Sequence, residues 1–175
     1  WAHKEDIPYF YRDFDQQSAD LLQELDADYS KIRSAIKARY PNRDFQFMLD
    51  YLELEQLSYQ SVNTDIRESF TTSATLGAIK PPTIQLASGE WVIDKDHRFF
   101  TDDIHYGLCI AKWISDQLSI DVPTIDRILN WAQKIRDEKI IDGKKLLIDS
   151  ESLTAEFMSG IPPVYGLNCI DDILD

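Results

Sequence analysis

The stretch from Asp15 to Arg39 constrains the fold of this chain more than any other. Leu21, Leu22, Leu25, Ile32 and Ile36 recur along it at helical spacing, and Tyr40-Pro41 closes it. A helix of that length must bury its apolar stripe against other elements, so the chain is expected to be built from packed helices. Asp20, Glu24, Asp26, Asp28, Lys31 and Arg33 fall on what reads as the outward face, and the acids spread too far round the helix to converge on one ion.

Further helical patterns follow. Asn42 is placed to cap a second helix from Phe45 through Leu57, and a third, shorter helix is expected from Asn63 or Thr64 to Phe70. Lys80-Pro81-Pro82 then makes a rigid extended link. Between Thr83 and Ile93 two β-prone runs flank Ser88-Gly89-Glu90, which reads as a small hairpin. Helical periodicity resumes from Asp102 to Leu118, breaks at Val122-Pro123-Thr124, and continues from Ile125 to about Asp137. The last segment, 141–175, with one short helix expected from Ser152 to Met158, reads as a peripheral tail to a core over 5–140. The expected class is all-α, as one multi-helical domain over 1–175 with a hairpin excursion near 83–93.

Charge excludes several partners. Thirty-one acidic against 18 basic residues leave a formal net charge of −13, which repels nucleic-acid phosphates and anionic membrane surfaces. Any site for an anion must therefore concentrate local positive charge. Two cysteines, Cys109 and Cys169, are too few for a disulfide framework or a Cys-rich zinc site. No apolar run approaches a membrane span and the charged start is not a signal peptide, so a soluble cytoplasmic protein is expected. A chain that begins at Trp1 reads as a processed protein or an excised domain. No GxGxxG or GxxxxGK[ST] spacing occurs, so a nucleotide would have to be held by something outside this chain.

One segment is dense in chemistry: Asp96-His97-Arg98-Phe99-Phe100-Thr101-Asp102-Asp103-Ile104-His105-Tyr106-Gly107-Leu108. It leads from the hairpin into the next helix, with Thr101 or Asp102 as the expected cap, so its acids would sit where backbone N–H groups are free. Read on composition alone, such acids are capping residues.

The order of residues points further. Arg98-Phe99-Phe100-Thr101-Asp102-Asp103-Ile104-His105-Tyr106-Gly107-Leu108 resembles the Arg-Tyr-Leu-Thr-Glu-Asp-Val-Pro-Tyr-Gly-Leu signature in the helical domain of the octopine/nopaline (opine) dehydrogenase family. Tyr9-Phe10-Tyr11-Arg12, the helix stretch Leu21 to Asp28, and Val122-Pro123-Thr124-Ile125-Asp126 are similar to flanking motifs of that family, in the same order. The resemblance implies a multi-helical C-terminal domain of the 6-phosphogluconate-dehydrogenase type. It would work with an N-terminal Rossmann domain of the same polypeptide, absent from this chain, that binds NAD or NADP. It also implies reductive condensation of an amino acid with a 2-oxo acid, using a catalytic His held by an Asp. That Asp falls on Asp103; its His lies upstream of Trp1 in the family order. The chain alone would then be inactive, and a homodimer is allowed.

The residue types suit those tasks. An imidazole that donates and accepts a proton near neutral pH is fixed in one tautomer by a carboxylate. A guanidinium makes two-point contact with a substrate carboxylate, which suits Arg98. Thr101, His105 and Tyr106 join Arg98 as expected substrate-binding residues. The signature's Glu is Asp102 here and its Pro is His105. His105 and Cys109 are i, i+4 neighbours, but a metal site would need two further ligands with no supporting spacing, and none is expected. Two other readings remain open: a non-catalytic helical domain that binds a protein or metabolite, and a domain of a ketopantoate-reductase-like 2-oxo acid reductase.

Overall fold

The computed structural model describes residues 1–147 and 160–174, so the helix expected from Ser152 to Met158 lies outside the described residues. These form two compact units: residues 1–26 with 44–94, and residues 27–43 with 95–147 and 160–174. Helix α1 (Gln16–Arg39) lends its first part to one unit and its second part to the other.

In the first unit, α2 (Tyr51–Tyr59) starts six residues later than the apolar spacing from Phe45 suggests. A capping box decides the start: Asp50 Oδ1 accepts from Glu53 N at 2.8 Å, and Glu53 Oε2 accepts from Asp50 N at 3.1 Å. Asp44 instead accepts from Gln46 N in a local turn, so Asn42 caps nothing and 44–48 stay non-helical. α3 (Ile66–Thr71) begins at Asp65, whose carboxylate accepts from Glu68 N. Phe70 gathers the rings of Tyr11, Phe14 and Tyr51 within 4.7–5.5 Å of its own. The expected hairpin is present, with β1 (Thr83–Gln85) antiparallel to β2 (Trp91–Ile93). Gly89, at φ +89°, supplies the turn.

The second unit is a helical core. A continuous helical run comprises α4 (Arg98–Thr101), a π-helical turn (Asp102–Leu108) and α5 (Cys109–Gln117). α6 (Pro123–Arg136) starts on the expected proline at its first position and ends at Asp137 in the left-handed region. Trp113, Val122, Ile125 and Leu129 are at most 1% exposed; burial of such a side chain contributes about 1.5–3 kcal/mol. A two-residue ladder pairs β3 (Ile141–Asp142) with β4 (Lys145–Leu146), and α7 (Asp171–Leu174) closes the described chain.

Two expectations need correction here. Asp28 is buried, not solvated: its Oδ2 accepts the N–H groups of Thr124 and Ile125 at 2.7 and 3.2 Å, and Lys31 Nζ lies 2.7 Å from Oδ1. α6 has no side-chain cap of its own, so a carboxylate from α1 satisfies its free amides and meets the positive end of its dipole. The segment 141–175 is not wholly peripheral either. Ile141, Leu146, Ile161 and Ile170 are core residues, and Arg39, the last residue of α1, and the following Tyr40 both bond Asp171.

Candidate functional site

The helix carrying the candidate residues opens one turn earlier than the spacing from Thr101 suggests. His97 is its cap, with Nδ1 accepting from Phe99 N at 3.2 Å. The Thr101 hydroxyl is spent on Asp102 Oδ1 at 3.3 Å and makes no cap. Asp102 and Asp103 therefore sit inside a continuing helix, on its π turn, and not over free amides.

Arg98 and Asp102 form an i, i+4 ion pair, Nε to Oδ2 at 3.3 Å, with the Arg98 side chain 76% exposed. Such an exposed pair contributes at most about 1 kcal/mol, so Arg98 can leave it for a ligand carboxylate at little cost. Asp103 is exposed, and among the described residues no hydrogen bond or ion pair occupies its carboxylate. Partial burial and the neighbouring Asp102 push its pKa above the ordinary carboxylate value, against the pull of Arg98. Its charge reaches α1 as well: burial first, and Asp103 second, raise the Tyr29 phenol. Arg98, Asp102, Asp103 and Tyr29 thus share one electrostatic neighbourhood.

His105 goes elsewhere. Its ring is buried, with Nε2 3.1 Å from Glu138 Oε2, so it does not share the exposed surface of Arg98 and Asp103. Burial lowers its pKa; Glu138 opposes that and Arg136 adds to it. Glu138 Oε1 accepts from Arg136 Nε and Nη2 at 2.9 and 2.6 Å. Tyr106 lies at the surface, its ring against Gly160. Burial, aided by Glu138, holds the Cys109 thiol up at about 12, so it is no thiolate ligand. Among the described residues no group of three or more His, Cys, Asp or Glu is placed to hold a metal.

Tyr29, Glu138, Arg136 and Gly160 were not marked by any motif. They lie far along the chain from the signature, and only the fold brings them to the π turn. A polar hollow in the first unit, lined in part by Gln16, Asp50 and Asp65, offers less chemistry, since Asp50 and Asp65 are committed as helix caps.

No nucleotide cradle is formed by the described residues: the only sheets among them are two antiparallel hairpins, with no strand leading through a Gly-rich turn to a helix. A structure of octopine dehydrogenase with NADH and L-arginine superposes with a TM-score of 0.80 at 23% identity, covering 97% of this chain and 41% of that one. The family model described as "NAD/NADP octopine/nopaline dehydrogenase, alpha-helical domain" matches residues 1–136, and the chain belongs to that family. It is 29% identical to octopine dehydrogenase of Pecten maximus over 97% of its length. It is 27% identical to tauropine dehydrogenase of Arabella iricolor over 95%. In both cases it spans 42% of the relative's length.

Proposed function

We propose that this chain is the substrate-side domain of an opine-dehydrogenase-like oxidoreductase, which reduces the imine formed from an amino acid and a 2-oxo acid. A nucleotide fold elsewhere in the polypeptide binds NAD(P)H, which supplies the hydride. The residues of this chain do the rest of the positioning. Asp103 accepts from one nitrogen of an imidazole contributed by that other segment, holding the tautomer that protonates the substrate and stabilising the cation when it forms. Arg98 exchanges its exposed pair with Asp102 for a substrate carboxylate. Thr101 and Tyr106 line the approach.

The observation that carries this reading is the state of Asp103: an exposed acid on the π turn, with a raised pKa and no hydrogen bond or ion pair at its carboxylate among the described residues. A capping acid would be spent on backbone amides, as Asp50 and Asp65 are. The test is Asp103→Asn in the full-length protein, assayed by NADH oxidation with pyruvate and a panel of amino acids. Turnover is expected to fall by roughly 10²- to 10⁴-fold with nucleotide affinity nearly unchanged. Parallel losses in both, or no loss of turnover, would refute the assignment.

A further inference from the structure

The π turn is held open by contacts that neither the signature nor the functional reading assigns. Where π spacing returns to α spacing, the hydrogen-bond ladder skips one carbonyl. Cys109 N donates to Ile104 O, five residues back, so the oxygen passed over is that of His105. It is not left bare, because Gly160 N donates to it at 3.0 Å. The His105 side chain is held too, 3.1 Å from Glu138, whose second oxygen is gripped by Arg136. Arg136 Nη1 in turn donates to Lys95 O, and Lys95 Nζ donates to Ile135 O at 2.9 Å, which ties α6 to the residues just before α4. The side chains of His105, Glu138 and Arg136 are only 10%, 14% and 10% exposed.

Gly160 has a second role. A Cβ at that position would lie 2.2 Å from Tyr106 Cδ1, so the ring packs directly on the glycine backbone and any side chain there would displace it. Residues 105 and 106 of the π turn are thus fixed by the buried contact of the His105 ring with Glu138, a backbone bond and a ring contact, all made to segments remote in sequence. Asp103, two residues earlier on the same turn, has no such anchor among the described residues.

We propose that Glu138, acting through His105, and Gly160 are positioning residues that hold the π turn and thereby set the direction of the Asp103 carboxylate. The inference rests on the role given to Asp103 above. It explains why His105, where the family signature has Pro, is compatible with the same turn: the imidazole supplies a side-chain clasp that proline lacks.

A double-mutant cycle in the full-length protein tests it, with Glu138→Ala, Asp103→Asn and the double variant, each confirmed as folded by circular dichroism and followed by NADH oxidation. Glu138→Ala should lower kcat about 10- to 100-fold, as expected for a catalytic group misplaced by about 1 Å, and should leave the KM for NADH within about twofold. In the Asp103→Asn background the same substitution should cost less than about twofold, because the group it positions is already disabled. If Glu138→Ala does not fold, Gly160→Ala takes its place in the same cycle with the same expectation. A folded variant with unchanged kcat, or a loss that multiplies in full on Asp103→Asn, would overturn the clasp while leaving the reading of Asp103 intact. Parental turnover in Asp103→Asn itself would overturn both.

Discussion

Asp28→Ala is the substitution whose effect follows most directly from the structure. The Asp28 carboxylate is 1% exposed and accepts both Thr124 N and Ile125 N, at the start of a helix that has no side-chain cap of its own. Loss of a side-chain cap costs about 1–2 kcal/mol. Leaving a buried amide without an acceptor costs about 1–3 kcal/mol more. Lys31 retains Asp121 O and is half exposed, so its lost pair with Asp28 adds little. The sum is about 3 kcal/mol. Asp28→Asn keeps an acceptor oxygen and loses only the charge facing the dipole, which sets its cost near 1 kcal/mol. Urea titration followed by circular dichroism reads this out: at a slope of about 1–3 kcal/mol per M, Asp28→Ala should lower the midpoint by about 1–3 M. Asp20→Ala, on the exposed side of the same helix, is the control and should stay within about 0.5 kcal/mol of the parent. Equal midpoints for Asp28→Ala and Asp20→Ala would refute the reasoning.

Further outcomes follow from other groups. His105 has its pKa depressed below 6.5, so the folded protein binds this proton less readily than the unfolded chain. The neutral ring's contribution is therefore complete above the unfolded value and is lost as pH falls through the folded one. His105→Gln should flatten the stability profile on the acid side of pH 6.5 in calorimetry, and an unchanged slope would count against it. Lys112 Nζ lies 2.9 Å from both Asp126 and Asp116, and Asp126 is buried. Lys112→Met should cost about 3–5 kcal/mol, with much of that recovered in the double variant Lys112→Met, Asp126→Leu; a double variant as weak as the single would contradict this. Arg98→Lys should raise the KM for the 2-oxo acid about tenfold with a smaller change in kcat, because a point charge cannot replace a forked donor. An unchanged KM would remove Arg98 from the substrate site.

Helix α1, the hairpin at 83–93 and the proline start of α6 are legible because periodicity, turn residues and Pro act locally. The start of α2 is also local, although the apolar spacing from Phe45 points to an earlier one. The capping box of Asp50 and Glu53 overrides that spacing by satisfying amides at the true start. The position of Asp103 in the signature is likewise written in the chain, whereas the π turn that presents it is not. Apolar spacing alone does not show which helical turn takes in an extra residue, and the structure sets His105 of that turn against Glu138.

From its residues alone this chain determines an assembly of helices, the order of its motifs and the family to which they belong, since each depends on neighbours within a few positions. Tertiary structure decides which polar groups are buried and with whom. Asp28 caps a helix 96 positions away, Glu138 holds His105, and Gly160 fills the carbonyl that the π turn skips. A polar group's partner is chosen where desolvation makes an unmet bond costly, and only packing sets where that is.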